Sequence, residues 1–370
     1  MATLKGMTWS HPRGYDPMVA VSAAWEAQTG HRISWDKRSL QDFETYPVED
    51  LARNYDLIVI DHPHVGQITA EACLLPLPDV PEITAESVGA SADSYVWQGH
   101  RWAYPIDAAA QVQAIRPDLL PQPLTKWAEV VSLAEEGRVM LPLRAPHALM
   151  CFYYMAANAG HPCRNDGKGT FVDPAAGRAA LERLAAVAQH VDSACYEMDP
   201  IAVLEEMSQG SRIACAPLIY GYISYGLPGF RPNKATFHDV PSTQLDGDLA
   251  GSGLGGTGIA VSAFSNAPEA AIAFAAYVAG PAVQRGIYAD AGGQAGHRAA
   301  WTDERVDDAA SGFYSGTLAT LDSAFVRPRH DGYMAFQNPA SDRISQALKD
   351  GAYDAALDDL QKLFDATFVD

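Results

Sequence analysis

The chain has 370 residues, of which 48% are apolar and 19% charged, and its formal charge is −19. This composition excludes a disordered polypeptide, and the acidic balance excludes nucleic acid and anionic membrane surfaces as partners, since both call for positive charge. Two domains are expected at this length, and no run approaches the roughly 18–20 apolar residues of a membrane span.

The N-terminus, MATLKGMTWSHP, has no basic segment followed by an apolar stretch, so no secretory signal is expected in it. LKGMTW reads as the first strand. PMVAVSAAWEAQTG follows as a helix, with Val19, Ala23 and Ala27 on one face and Gly30 as the stop. HRISWDKR is the next strand, QDFETYPVEDLARN holds a second helix broken near Pro47, and DLIVID is the third strand. This βαβαβ order implies a parallel sheet with right-handed crossovers. Four consecutive apolar residues, Leu57 to Ile60, fit a strand covered on both faces. They run straight into Asp61, His62 and His64, just past the carboxyl end, where open α/β sheets bind ligands.

GHRWAYPIDAAAQVQAIRPDLL reads as extended around Pro105, with Arg116-Pro117 as a breaker. TKWAEVVSLAEEG is helical, with Thr125 as N-cap and Gly137 as stop. VMLPL reads as a strand, HALMCFYYMAANAG as an apolar helix and PAAGRAALERLAAVAQHV as an amphipathic one. SRIACAPLIYGYI is a further buried strand, and 230–256 is rich in turn formers. GTGIAVSAF is a strand and APEAAIAFAAYVAG a small-residue helix. From Asp342 onward, RISQALKD and AYDAALDDLQKLF carry i, i+3, i+4 apolar spacing. Among five cysteines, Cys73, Cys151 and Cys215 read as buried thiols. Cys163 and Cys195 flank a helical region, and their pairing in an oxidising compartment is left open.

Several of these pieces, in this order, resemble the solute-binding proteins of ABC transporters, in the branch that includes carbohydrate binders. The helix ending in TG, NYDLIVIDHPHVGQ followed by LLPL, GHRWAYPIDAAAQVQAIRPDLL, LTKWAEVVSLA and GGTGIAVSAFSNAPEAAIAFAAYVAGPAVQ carry the resemblance. It implies a two-lobed α/β fold of the periplasmic-binding-protein type II. Lobe one would hold 1–108 and 256–305 and lobe two 109–255 and 306–370, with hinge strands near 104–112 and 250–260. A small polar molecule, sugar-like or carboxylate-bearing, would be captured in an interlobe cleft by hinge closure. The resemblance further implies a monomer, delivery to an ABC permease, no cofactor and a periplasmic location, with a cytoplasmic one as the alternative.

Candidate contacts follow from these placements. Trp9, Ser10, His11, Arg13 and Tyr15 end the first strand, where an aromatic and a guanidinium could stack on and hydrogen-bond a polar ligand. Asp61, His62 and His64 join them as one cleft wall. The same histidines with Asp61 and a distant His11 or His297 have zinc-compatible ligand types, although Pro63 restricts the geometry. Tyr104 and Asp107 sit on the hinge strand, where a carboxylate amid alanines needs solvent or a partner. Pro146, His147 and Cys151 begin an apolar helix, while Tyr220 and Tyr222 end a buried strand. GSGLGGTG lacks both the following helix and the Lys of a phosphate loop, so Gly255, Gly256 and Thr257 are expected to let backbone approach a ligand. Gln294, His297 and Arg298 form a polar cluster after a turn, and Arg327, Arg329, His330 and Tyr333 are similar in kind.

An excess of His, Arg and aromatics over carboxylates suits a ligand with an anionic end. The alternative function is an enzyme on the same fold, with Asp61 or Asp107 and a histidine as acid–base groups. Thiaminase-type relatives use a cleft cysteine, for which Cys151 is the one substitute here.

Overall fold

A computed structural model describes residues 1–39, 47–210, 212–244 and 247–368. The chain divides into two compact units. Unit 1 comprises Met1–Ala109, Gly255–Ala310 and Arg329–Asp331, and unit 2 comprises Ala110–Leu254, Ser311–Pro328 and Gly332–Asp370. The chain passes between them at Ala109/Ala110 and Leu254/Gly255, inside two strands, and again after Ala310, Pro328 and Asp331.

In unit 1, β1 (Thr3–Trp9) pairs in parallel with β2 (Arg32–Arg38) and with β3 (Leu57–Ile60). The small antiparallel pair β4 (Val96–Trp97) and β5 (His100–Arg101) precedes β6 (Tyr104–Ile115). Unit 2 contributes β7 (Cys215–Tyr220) and β8 (Thr236–His238), both antiparallel to β6. β9 (Leu254–Val261) returns to unit 1 and pairs antiparallel with β3, Leu57 opposite Val261. The first helix, Pro12–Thr29, ends on Gly30, whose left-handed φ of 73° closes it as read from the sequence.

The unbroken apolar run of β3 is explained by period-2 alternation with both faces covered. Leu57 and Val59 enter one core with Leu4, Ile259, Val261 and Phe274, and Ile58 and Ile60 enter a second with Met7, Ile68 and Ala260. Gly6 lies under the Trp35 ring, where a Cβ would come within 2.4 Å of it. Trp35 in turn donates its indole N–H to Ser22 Oγ at 2.8 Å in the buried interior. Ser22→Ala leaves that donor unpaired and is expected to lower the unfolding free energy by about 1–2 kcal/mol. Urea denaturation of the variant measures this, and an unchanged midpoint would show that the bond contributes nothing.

Unit 2 is built around the helix His147–Asn158, most of whose residues are buried. Phe171 is its aromatic centre, 5.2 Å from Phe336 and 5.0 Å from Phe364 between ring centroids. The helices Pro174–Ala188, Tyr333–Asp350 and Tyr353–Asp365 supply the rest. The last of these follows its sequence pattern, whereas Tyr333–Asp350 starts well before the expected Asp342 and runs through Pro339.

Two local expectations are corrected, and the open question of Cys163 and Cys195 is answered. VMLPL is not a strand: Val139 makes a single bridge to Cys215, and Pro142 has no N–H with which to extend a ladder. Lys126, not Thr125, is the N-cap of Trp127–Glu135, because Glu129 reaches back to accept from both Thr125 N and Lys126 N. Cys163 and Cys195 are buried free thiols, as are the other three cysteines. The helix expected in QDFETYPVEDLARN survives as Val48–Ala52, and its part over residues 40–46 lies outside the described residues.

Candidate functional site

In unit 1 the end of β1 turns directly into a helix. His11 caps that helix, its Nδ1 accepting from Arg13 N at 3.2 Å, which leaves Nε2 as the protonated nitrogen of the neutral ring. Arg13 is 4% exposed and lies against Asp107, 1% exposed, with Nε donating to Oδ2 at 2.7 Å and Nη2 to Oδ1. This two-pronged pair answers the expectation that Asp107 needs a partner. Burial pushes the Asp107 carboxyl above its ordinary value, Arg13 pulls it back down, and the negative charge of Asp61 pushes it up again. Asp61 is therefore an electrostatic neighbour of the pair. Its own carboxylate accepts from His62 N at 2.8 Å and lies 3.2 Å from His62 Nδ1. His62 meets Tyr95 edge-on at 6.4 Å between centroids, and His64 is buried beside it in the same turn.

Gly256 brings β9 close to this group. Its φ of +93° is left-handed, and a Cβ there would fall 2.2 Å from Asp107 O, so only glycine fits. The next residue, Thr257, is buried with no protein hydrogen-bond partner for Oγ1.

Other candidates in unit 1 hold the scaffold. Trp9 packs into the core with its ring over Gly14. Tyr15 lies beneath the Lys37 ammonium at 4.3 Å. Tyr104, expected to line a cleft, is fully buried, donates to Pro78 O at 2.7 Å, and has its hydroxyl pushed up to about 12 by burial. Gln294 clamps Ala108 O with its carboxamide at 2.8 Å. His297 uses both ring nitrogens, Nδ1 on Ala299 N and Nε2 on Glu82 O, and Arg298 N donates to Glu86 O. Arg329 donates to the carbonyls of Asp93, Ser94 and Val96, fixing its short segment on unit 1. Among the described residues no group of three His, Cys, Asp or Glu is placed to hold a metal ion.

Unit 2 brings together His147, Tyr220 and a residue missed in the sequence, Gln111. His147 is the first residue of its helix, and its ring meets that of Tyr220 at 6.1 Å and 66°. Burial lowers the His147 pKa to about 4, so the ring is neutral at ordinary pH. Gln111, on β6 just beyond the passage from unit 1, gives its Nε2 to Cys151 Sγ at 3.5 Å. Burial pushes the Cys151 thiol up to about 12, which removes it as a thiolate nucleophile. Tyr222 is buried and precedes the short turn Ile223–Gly226. Arg327 and Tyr333 are structural: Arg327 donates to Leu254 O and Gln337 Oε1, while the Tyr333 hydroxyl lies 3.3 Å from that of Tyr153. One sequence signal for Gln111 existed, an amide straight after Ala108–Ala110, although Gln113 follows with the same residue type.

Comparison with known proteins adds the following. A family model described as bacterial extracellular solute-binding protein matches residues 20–310. Maltose-bound MalE3 of T. maritima superposes with a TM-score of 0.83 at 17% identity, covering 100% of both chains. An ABC transporter solute-binding protein of Thermotoga lettingae, bound with α-D-tagatose, gives 0.82 at 15% identity over 99% of this chain and 100% of that one. Another from Agrobacterium radiobacter, in complex with ribitol, gives 0.75 at 20% identity over 99% of each. At these identities the likeness is one of fold. No curated protein matches the chain.

Proposed function

The chain belongs to the bacterial extracellular solute-binding proteins, and from that membership we propose that it captures a small polar solute of the sugar or polyol kind for an ABC transporter permease. The match of the family model across residues 20–310 carries this reading. Capture would proceed by hinge movement about β6 and β9, the two strands that pass from unit to unit. Asp61, His62, His64 and Thr257 of unit 1 and His147, Tyr220 and Tyr222 of unit 2 are the proposed contacts. Work outside the cytoplasmic membrane agrees with the family description.

The sugar or polyol class is favoured over a carboxylate because Arg13, the guanidinium expected to meet an anion, is committed to Asp107. Solutes of this class are also what the named structural neighbours carry. A thermal-shift screen of maltose, tagatose, ribitol and related compounds tests the reading, with mass spectrometry of each mixture. At least one compound is expected to raise the melting temperature and to be recovered unchanged. Consumption of the compound, abolished by Asp61→Ala, would replace binding with catalysis.

A further inference from the structure

Among the described residues of unit 2, Gln111 Oε1 and His147 Nδ1 are buried polar atoms without a protein hydrogen-bond partner. Gln111 is 0% exposed and His147 3%. Buried polar groups are normally paired, and an orphan weakens the fold unless something else meets it. Both atoms belong to residues around Tyr220. The His147 ring packs edge-on to the Tyr220 ring, and Gly253 stands between Tyr220 and Gln111. A Cβ at Gly253 would lie 3.2 Å from the Tyr220 hydroxyl, 3.7 Å from Met150 Sδ and 3.9 Å from Gln111 Oε1. A side chain here would therefore press on the Tyr220 hydroxyl and lie against the amide oxygen.

We propose that Gln111, His147 and Tyr220 form a subsite for hydroxyl groups of an uncharged solute. This deepens the proposed function and rests on it. Gln111 Oε1 can only accept, so it calls for a donor, and a neutral imidazole offers one donor and one acceptor. A hydroxyl meets both requirements because it donates and accepts at once. A carboxylate would be repelled by the amide oxygen, and both guanidinium groups that act on His147 are engaged: Arg327 donates to Leu254 O and Gln337 Oε1, and Arg144 lies 3.8 Å from the Asp199 carboxylate. An ammonium would face no carboxylate among the three residues.

The test is calorimetric titration of maltose, tagatose and ribitol into wild type and into Gln111→Leu, His147→Leu and Gly253→Ala, beside gluconate as the anionic probe. Whichever neutral compound binds wild type is expected to bind Gln111→Leu and His147→Leu about tenfold or more weakly. Gly253→Ala, which narrows the space, should weaken it as well. Gln111→Leu should melt at the wild-type temperature or higher without ligand, because the change removes an orphaned acceptor. A purely structural role for Gln111 would instead lower that temperature. Unchanged affinity in both leucine variants would overturn the subsite while leaving the solute-binding function standing, and would mean that these atoms meet only water. Gluconate binding more tightly than every neutral compound would overturn the uncharged class. If no compound binds wild type, the proposed function fails and the subsite fails with it.

Discussion

Arg13→Ala is expected to lower the unfolding free energy by about 3–5 kcal/mol, because it leaves the Asp107 carboxylate buried without its partner. Both side chains are almost fully withdrawn from water, so each has lost most of its hydration. Their two-pronged contact offsets that loss only while both are present. Asp107→Ala is also expected to destabilise the fold, because it removes the two-pronged contact with the guanidinium. The double variant Arg13→Met with Asp107→Leu should recover most of the deficit, since two well-packed apolar side chains carry no desolvation penalty. In Arg13→Ala the deficit should shrink as the pH falls, because protonation neutralises the orphaned carboxyl. Urea denaturation of the three variants decides the matter. A loss below about 1 kcal/mol in both single variants would mean that water reaches the pair.

A second large effect concerns pH. Burial lowers the pKa of His147 from 6.5 to about 4; the charges of Arg327 and Arg144 add to this and that of Asp199 opposes it. Above pH 6.5 the ring is neutral in folded and unfolded chains alike. Between pH 6.5 and 4 the unfolded chain takes up a proton that the folded chain refuses, so stability falls as the pH falls. The loss approaches about 3 kcal/mol near pH 4. His147→Leu removes this contribution and should flatten that part of the stability profile relative to wild type. Equal slopes in the two proteins between pH 6.5 and 4 would refute the assignment.

Much of the architecture was legible because hydrophobic periodicity reports burial directly. The run Leu57–Ile60 told of a strand covered on both faces, and two cores do take its alternate residues. The site was harder to read, since the residue types that cap helices and close turns are those that bind polar ligands. His11 and His297 looked like contacts in the sequence and serve as helix caps. Gln294 read as part of a polar cluster after a turn and instead clamps a backbone carbonyl. Asp107 was recognised as needing a partner, but a pairing 94 residues away in sequence leaves no local trace. Gln111 escaped notice because neighbours on both sides are buried as well, so alternation could not mark it out.

Neither unit is a continuous stretch of chain, and this orders events during synthesis. A ribosome completes β1, β2 and β3 long before β9 exists, so β3 waits with one edge unpaired until Leu254–Val261 emerges. Unit 2 waits longer still: its aromatic centre needs Phe364, which lies in the last helix. Contacts between such distant segments close slowly. A nascent chain of this design therefore completes neither unit until its later segments emerge, a delay that suits a polypeptide threaded through a narrow membrane pore to fold on the far side.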